Sequence, residues 1–322
     1  MTNTRILYLL TRAPLHVGAG SSVGAIDQPI IRERHTQFPI IPATSLKGSF
    51  ADQWPATKKN AKGQTQRLST KEIEVDGNKQ RVLDEADDAA WLFGSDTTDL
   101  SFAGSLRFSE ARLIAFPIRS AKGSFAWITC PLMLQRAARD GALSIGSVPA
   151  EPKDDEAIFK ADGPLALGSA EKQIVLEEYC FKASATAYPS DLAKALAGPL
   201  PGDDLFQSIT DRLVILSNGM MSHFATTACE VAQHVRISDE TGTADAGGLF
   251  NQENVPADTL FYFVLGATRS RVPSGSLKDK PAIEALDAFG EKVTTTRVFQ
   301  FGGDASTGLG FCSVSLSETK GA

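Results

Sequence analysis

Two short apolar runs stand out along the chain: Arg5 to Thr11 (RILYLLT) near its start and Leu260 to Gly266 (LFYFVLG) near its end. Their length and composition predict β-strands. Lys172 to Lys182 alternates enough to read as another strand, and Thr295 to Phe301 with Gly308 to Leu316 reads as a closing strand pair. Ser105 to Phe116 and Gly123 to Leu132 fit strands or strand–helix elements. Helices are predicted from Ser45 to about Gln53, from Asn218 to Gln233 and from Pro281 to Gly290. A shorter one, Ser190 to Gly198, has a serine cap, a glycine stop and Pro199 beyond it. Between these lie three polar stretches. Pro55 to Val82 is rich in Lys, Gln and Thr and reads as a mobile insertion; Ala150 to Asp162 is an acidic loop. Arg236 to Asp258 is a loop or hairpin turning at Gly242, Gly247 and Gly248. No internal repeat is visible. Strands near both ends, each joined to a glycine-rich loop, suit an α+β ferredoxin-like (RRM-like) palm.

Composition narrows the class. The 322 residues suffice for one large or two ordinary domains, and 42% hydrophobic with 22% charged residues fits a globular protein. No apolar stretch approaches the ~18 residues of a membrane helix. The opening MTNTRILYLLTRAP has too short an apolar core for a secretory signal, so the cytoplasm is expected. Cys130, Cys180, Cys229 and Cys312 lack the C-x-x-C spacing of a zinc site and read as small buried apolar residues. A net charge of −6 argues against a nucleic-acid protein, but its distribution does not. Residues 1–50 carry Arg5, Arg12, Arg32, Arg34 and Lys47 against Asp27 and Glu33, a net +3. Residues 55–82 carry seven basic side chains against three acidic ones, a net +4. The acid lies elsewhere, from Asp84 to Asp88 and from Glu151 to Glu156. That segregation suits a basic groove on an acidic body.

Chemistry concentrates between Ala13 and Phe50. Gly18, Gly20 and Gly24 after a strand imitate a dinucleotide fingerprint. Pro29, Pro39 and Pro42 forbid the long helix such a fingerprint must open, which excludes it. What remains is a loop presenting backbone amides, then Asp27, then the basic turn Arg32-Glu33-Arg34-His35. After Pro42, Thr44 or Ser45 is placed to cap a helix with Lys47 in its first turn. A cation there opposes the helix dipole, an arrangement that makes sense with a phosphate in front of it. Lys47 is otherwise a solvated surface lysine. Asp27 either caps the amides of Ile30 or Arg32 or coordinates a hydrated Mg2+ beside a phosphodiester. His16 is an acid, base or phosphate contact, or else a packed ring. His223 and His234 could share one helix face but lack the acidic partner of a zinc motif.

PLHVGAGSSVGAIDQPIIRERHTQFPIIPATSLKG, with WLFGS, GSLRFSEARL, FPIRS and the closing FGGDASTGLG, resembles the RAMP superfamily, specifically the repeated backbone subunit of type III-B CRISPR effector complexes. The resemblance covers both ends and most of the middle, and is vaguest from about Asp140 to Leu205. It implies a single RAMP domain over 1–322, with a basic finger-like insertion at about 55–90 and a thumb-like hairpin at about 236–258. It implies binding to CRISPR guide RNA, complementary target RNA, further copies of the chain and other type III-B subunits. Asp27 would support cleavage of the target with Mg2+ or another divalent cation, with His16 and, more weakly, Glu253 as further candidates. Arg32, Arg34, His35, Ser45, Lys47 and Gly48 would contact RNA. So would the amides of Gly18 and Gly20 and of Gly302, Gly303, Gly308 and Gly310. Leu249 and Phe250 are either the core of the hairpin or a wedge against a base step. Two alternatives remain: a structural RNA binder without nuclease activity, and a ribonuclease that processes guide precursors alone.

Overall fold

The protein is described by a computed structural model covering residues 3–20, 24–54, 58–59, 65–66, 70–75, 78–83, 88–97 and 100–317. Its central sheet places Ala111–Ser120, Leu260–Ala267, Thr4–Thr11, Phe311–Leu316 and Val298–Gln300 side by side in that order. Every neighbouring pair among them is antiparallel. Leu7 pairs with Phe263 and Leu9 with Phe261, so the two apolar runs lie back to back at the centre.

Side chains alternate across a strand, and both faces of this sheet are covered. Leu7, Leu9, Phe261 and Phe263 point to the face packed by helices Ala43–Gln53 and Ala282–Thr296. There Phe50 meets Phe263 and Phe289 with ring centroids 6.0 and 5.0 Å apart. Ile6, Tyr8, Leu10 and Tyr262 point the other way, into a second core with Trp127, Leu134, Leu192 and Phe206. Burial on both faces is why these strands read as unbroken apolar runs.

Several boundaries differ from the sequence expectation. The first helix starts at Ala43 with Pro42 at its cap, and neither Thr44 nor Ser45 caps it. Pro42 sits extended at φ −58, ψ 146, and its carbonyl takes the Leu46 N–H, so both hydroxyl residues fall inside the first turn. Ser190 likewise lies inside its helix, behind Pro189. Lys172 to Lys182 is a hairpin, Gln173–Leu176 with Tyr179–Ala183, turning at Glu177 with φ 48. A Glu-Glu turn has no glycine or asparagine to announce it.

The helix from Asn218 ends at Thr227, and Glu230–Ile237 is a strand paired with Ala244–Asn254. The hairpin therefore opens at Glu230, ahead of the expected 236, and His223 and His234 lie on different elements. The last helix runs past Gly290 to Thr296. Gly290 is a packing site, because a Cβ there would stand 2.7 Å from Arg5 Nη1. Arg5 threads across it to donate to the Leu286 carbonyl at 2.6 Å.

Of the expected 55–90 insertion, Lys58–Lys59 pairs with Thr65–Gln66, and Thr70–Val75 with Asn78–Leu83. Most of the rest lies outside the described residues. Ala89 and Ala90 are buried in the main core and so belong to the body. Cys130 and Cys312 are buried as expected; Cys229 is half-buried and Cys180 is exposed on an edge hairpin. No described helix is long and apolar enough to cross a membrane.

Candidate active site and nucleic-acid interface

Three distant segments are laced into one surface. Leu15 and Val255 exchange two backbone hydrogen bonds of 2.8 and 2.9 Å, and Gln28 N–H donates to the Asn251 carbonyl at 3.1 Å. The C-terminal glycine loop joins through Gly303 N–H to the His16 carbonyl (3.0 Å) and Gly310 N–H to that of Pro14 (2.9 Å). Gly302 makes the approach possible: at φ +75, a Cβ on it would lie 2.1 Å from the His16 oxygen. Gly308, also left-handed, ends the short turn Ala305–Thr307.

Asp27 sits where the first glycine loop meets the hairpin. Its N–H donates to Asn251 Oδ1 (2.7 Å), and the Asn251 N–H donates back to Asp27 Oδ2 (2.9 Å). It therefore caps neither Ile30 nor Arg32. The Ile30 N–H goes instead to Glu253 Oε2, 3.1 Å away. Asp27 is exposed, and its Oδ1 has no hydrogen-bond partner among the described residues.

A cavity of about 320 Å3 opens beside Asp27, lined also by His16, Gly18, Gly20 and Asp304. His16 Nδ1 lies 2.7 Å from the Glu253 carbonyl, which can only accept, so Nδ1 carries the proton. In the neutral ring Nε2 then holds the lone pair. It faces Gly18, where an added Cβ would stand 3.0 Å from it.

Asp304 is the residue that sequence reasoning missed. It was read only as part of a glycine run. Its φ of 59 turns it into the cavity, and Oδ2 accepts from Gln252 Nε2 at 2.6 Å. The available signal was an acid among loop glycines, the same pattern as Asp27.

Other expected residues lie elsewhere. Glu253 is buried, does not line the cavity, and its carboxylate accepts from Arg32 Nη2 at 2.5 Å. Arg32 also donates to the carbonyls of Ala225 (2.6 Å) and Gln37 (2.8 Å), so it braces the loop and has little left for a phosphate. Arg34 and His35 are exposed on the turn beyond it. The His35 Nε2 accepts from Arg136 at 2.9 Å. Lys47 and Gly48 line a separate cleft beside the first helix. On the hairpin, Leu249 is 68% exposed and so is not core, while Phe250 stacks on His234 with centroids 5.2 Å apart.

Glu33 anchors the basic turn, accepting from Thr36 Oγ1 at 2.5 Å and Arg136 Nη1 at 2.8 Å. Burial alone would raise its pKa, but these partners outweigh it and hold the carboxyl below its ordinary value. A depressed folded pKa gives stability that is present above the unfolded value and is lost as pH falls through the folded one. Thermal melts should therefore show acid destabilisation below the ordinary glutamate range that is weaker in Glu33→Gln. An identical pH dependence in both proteins would refute this assignment.

Among the described residues, no group of three or more His, Cys, Asp or Glu side chains converges on a metal position. Asp27 and Asp304 supply two carboxylates at one cavity. That fits a hydrated divalent ion completed by phosphate oxygens rather than a cage built by protein alone.

A sequence model of the RAMP superfamily matches residues 8–313. The chain is similar to the CRISPR system Cmr endoribonuclease Cmr4 of Pyrococcus furiosus, 30% identical over 320 residues that cover 97% of this chain and 94% of that protein. Among solved structures it is similar to oligomeric Cmr4 from Pyrococcus furiosus (TM-score 0.63, 22% identity, covering 98% and 99% of the two chains). It is also similar to a chain of the type III-B Cmr-beta complex bound to cognate target RNA (TM-score 0.65, 19% identity, 97% and 96% covered).

Proposed function

The chain belongs to the RAMP superfamily, and on that premise we propose that it is the repeated, guide-RNA-binding subunit of a type III-B CRISPR effector complex and the endoribonuclease that cleaves the complementary target RNA. The observation that carries the nuclease reading is the cavity that gathers exposed Asp27, Asp304 and the Nε2 side of His16 on a glycine-walled floor.

Asp27 and Asp304 would hold Mg2+ or another divalent cation. When bound, the ion supplies stabilisation for charge developing on the phosphate. His16 Nε2 would accept the proton of a ribose 2′-hydroxyl as its oxygen attacks the adjacent phosphorus. The P–O5′ bond breaks, leaving a 2′,3′-cyclic phosphate and a 5′-oxygen that takes up a proton from the imidazolium or from water. The Glu253 carbonyl fixes the tautomer this requires. The amides of Gly18 and Gly20 carry no side chain between themselves and a phosphate backbone, whereas the Gly303 N–H is already given to the His16 carbonyl.

The antiparallel order of Ala111–Ser120, Leu260–Ala267, Thr4–Thr11 and Phe311–Leu316, with both connecting helices on one face, supports a ferredoxin-like palm. On it, the hairpin from Glu230 to Asn254 serves as the thumb and the paired segments from Lys58 to Leu83 as the finger. The whole forms a single domain acting in the cytoplasm.

A chain with a net charge of −6 repels its copies until RNA bound along successive subunits holds them together. The resulting contact is head to tail, so it extends along the RNA without closing. Native mass spectrometry should show ladders of subunits whose length grows with the guide. A one-to-one complex at every RNA length would reject the filament and favour a monomeric processing enzyme.

A further inference from the structure

A second cleft, of about 590 Å3, lies between the helix Ala43–Gln53 and the hairpin Gly94–Thr97/Leu100–Ala103. That size is in the range of pockets that enclose a small ligand, about 300–1,000 Å3. We propose that it is a nucleotide pocket on the guide-RNA path, with phosphates held by Lys47, Arg107 and Arg271 and one unstacked base laid on Phe102.

Three observations carry this. First, Lys47, Arg107 and Arg271 all line the cleft, all are exposed, and no Asp or Glu is among its described lining residues. None of the three forms an ion pair with another described residue, so their charge is not already spent on a carboxylate. Second, the walls are apolar: Phe93 is buried, and Phe102 is half-buried with one side packed against the main core. A polyanion with planar, weakly polar rings matches cations around an aromatic wall, and aromatic stacking accepts any base. Third, Gly48 sits inside a helix, where glycine is less favourable than alanine. A Cβ there would meet nothing within 4 Å, so the fold itself does not call for the glycine. Its missing side chain leaves the helix backbone open to close approach from the cleft.

Arg107 and Arg271 were not expected from the charge pattern, since each lies far from the basic N-terminal cluster. Arg107 leaves the strand Leu106–Phe108, and Arg271 follows the central strand Leu260–Ala267. The sheet brings both beside Lys47.

The proposal rests on the guide-binding reading above, and the test separates the two. Fluorescence anisotropy of the full chain with labelled guide RNA is measured from low to physiological salt for wild type, Lys47→Ala, Arg107→Ala/Arg271→Ala and Phe102→Ala. Thermal melts check that each variant is folded. Each phosphate contact on a single strand contributes about 0.7 to the log–log salt slope, so the arginine pair should flatten it by about 1.4. Phe102→Ala should weaken binding by about 5- to 150-fold at every salt concentration with the slope unchanged. If Lys47→Ala weakens binding while neither the arginine pair nor Phe102→Ala changes it, the pocket is overturned and guide binding stands. A flattened slope without a Phe102 effect leaves a phosphate track and overturns the base site. If all three variants bind as wild type does, the guide-binding reading falls, and the pocket with it.

Discussion

A complex rebuilt with Asp27→Asn should cleave complementary RNA about 10²–10³-fold more slowly than wild type while binding guide RNA and assembling normally. That is the scale on which one group stabilising transition-state charge acts. Asparagine is the informative replacement because it keeps an oxygen able to accept the Asn251 N–H, the 2.9 Å bond that seats the loop on the hairpin. The charge is removed and the geometry retained. Asp27→Ala also loses the seat, so its effect mixes chemistry with a displaced loop. Losing a group that acts on the reacting phosphate lowers the rate far more than ground-state affinity, which is shared among many phosphate contacts. Single-turnover cleavage with saturating complex makes the comparison. An Asp27→Asn complex cutting at near wild-type rate would remove Asp27 from the chemistry.

Arg32→Ala should destabilise the protein by about 3–5 kcal/mol, the usual effect of leaving one member of a buried ion pair uncompensated. The side chains of Arg32 and Glu253 are only 12% and 5% exposed, and their atoms approach to 2.5 Å. Arg32 also donates to two carbonyls, one of them the part-buried Ala225 oxygen, and touches Cys229 Sγ at 3.3 Å, so its loss strands these as well as the buried Glu253 carboxylate. The salt slope of RNA binding should be unchanged, because the guanidinium serves the fold. Arg32→Met/Glu253→Met should be more stable than either single variant, since apolar side chains of similar bulk replace such pairs at little cost. Denaturant unfolding at neutral pH makes the measurement. A fully stable Arg32→Ala with a flatter salt slope would restore Arg32 to the phosphate track.

The central sheet was legible because the sheet buries Thr4–Thr11 and Leu260–Ala267 on both faces and so leaves apolar runs in the sequence. The first strand of the hairpin, Glu230–Ile237, was not, because Val231, Val235 and Ile237 are all exposed on it. Without a buried face, burial imposes no strong alternation, and the segment reads as a continuation of the preceding helix. Asp27 was legible as a lone acid in a glycine loop. What surrounds it was not. Asn251, Glu253 and Asp304 reach it or its neighbours from more than 200 residues away, and local spacing carries no trace of such pairing. Arg32 shows the converse error. A local cluster of positive charge pointed to phosphate, while a buried glutamate 221 residues away had already claimed the arginine.

The reciprocal bonds between Asp27 and Asn251 give the molecule a built-in ruler. Leu249, the most exposed apolar side chain of the hairpin, stands two residues before Asn251 on the same strand, and therefore on the same face. The distance from Leu249 to the carboxylate is thus fixed by a strand and two hydrogen bonds, not by a hinge. A Leu249 that lodged along a duplex would bring Asp27 to a set offset from it, whatever the bases are. Copies stacked along one guide would then cut in phase, with a period equal to the subunit repeat. One residue inserted between Leu249 and Asn251 would turn Leu249 to the opposite face and take the ruler off its scale.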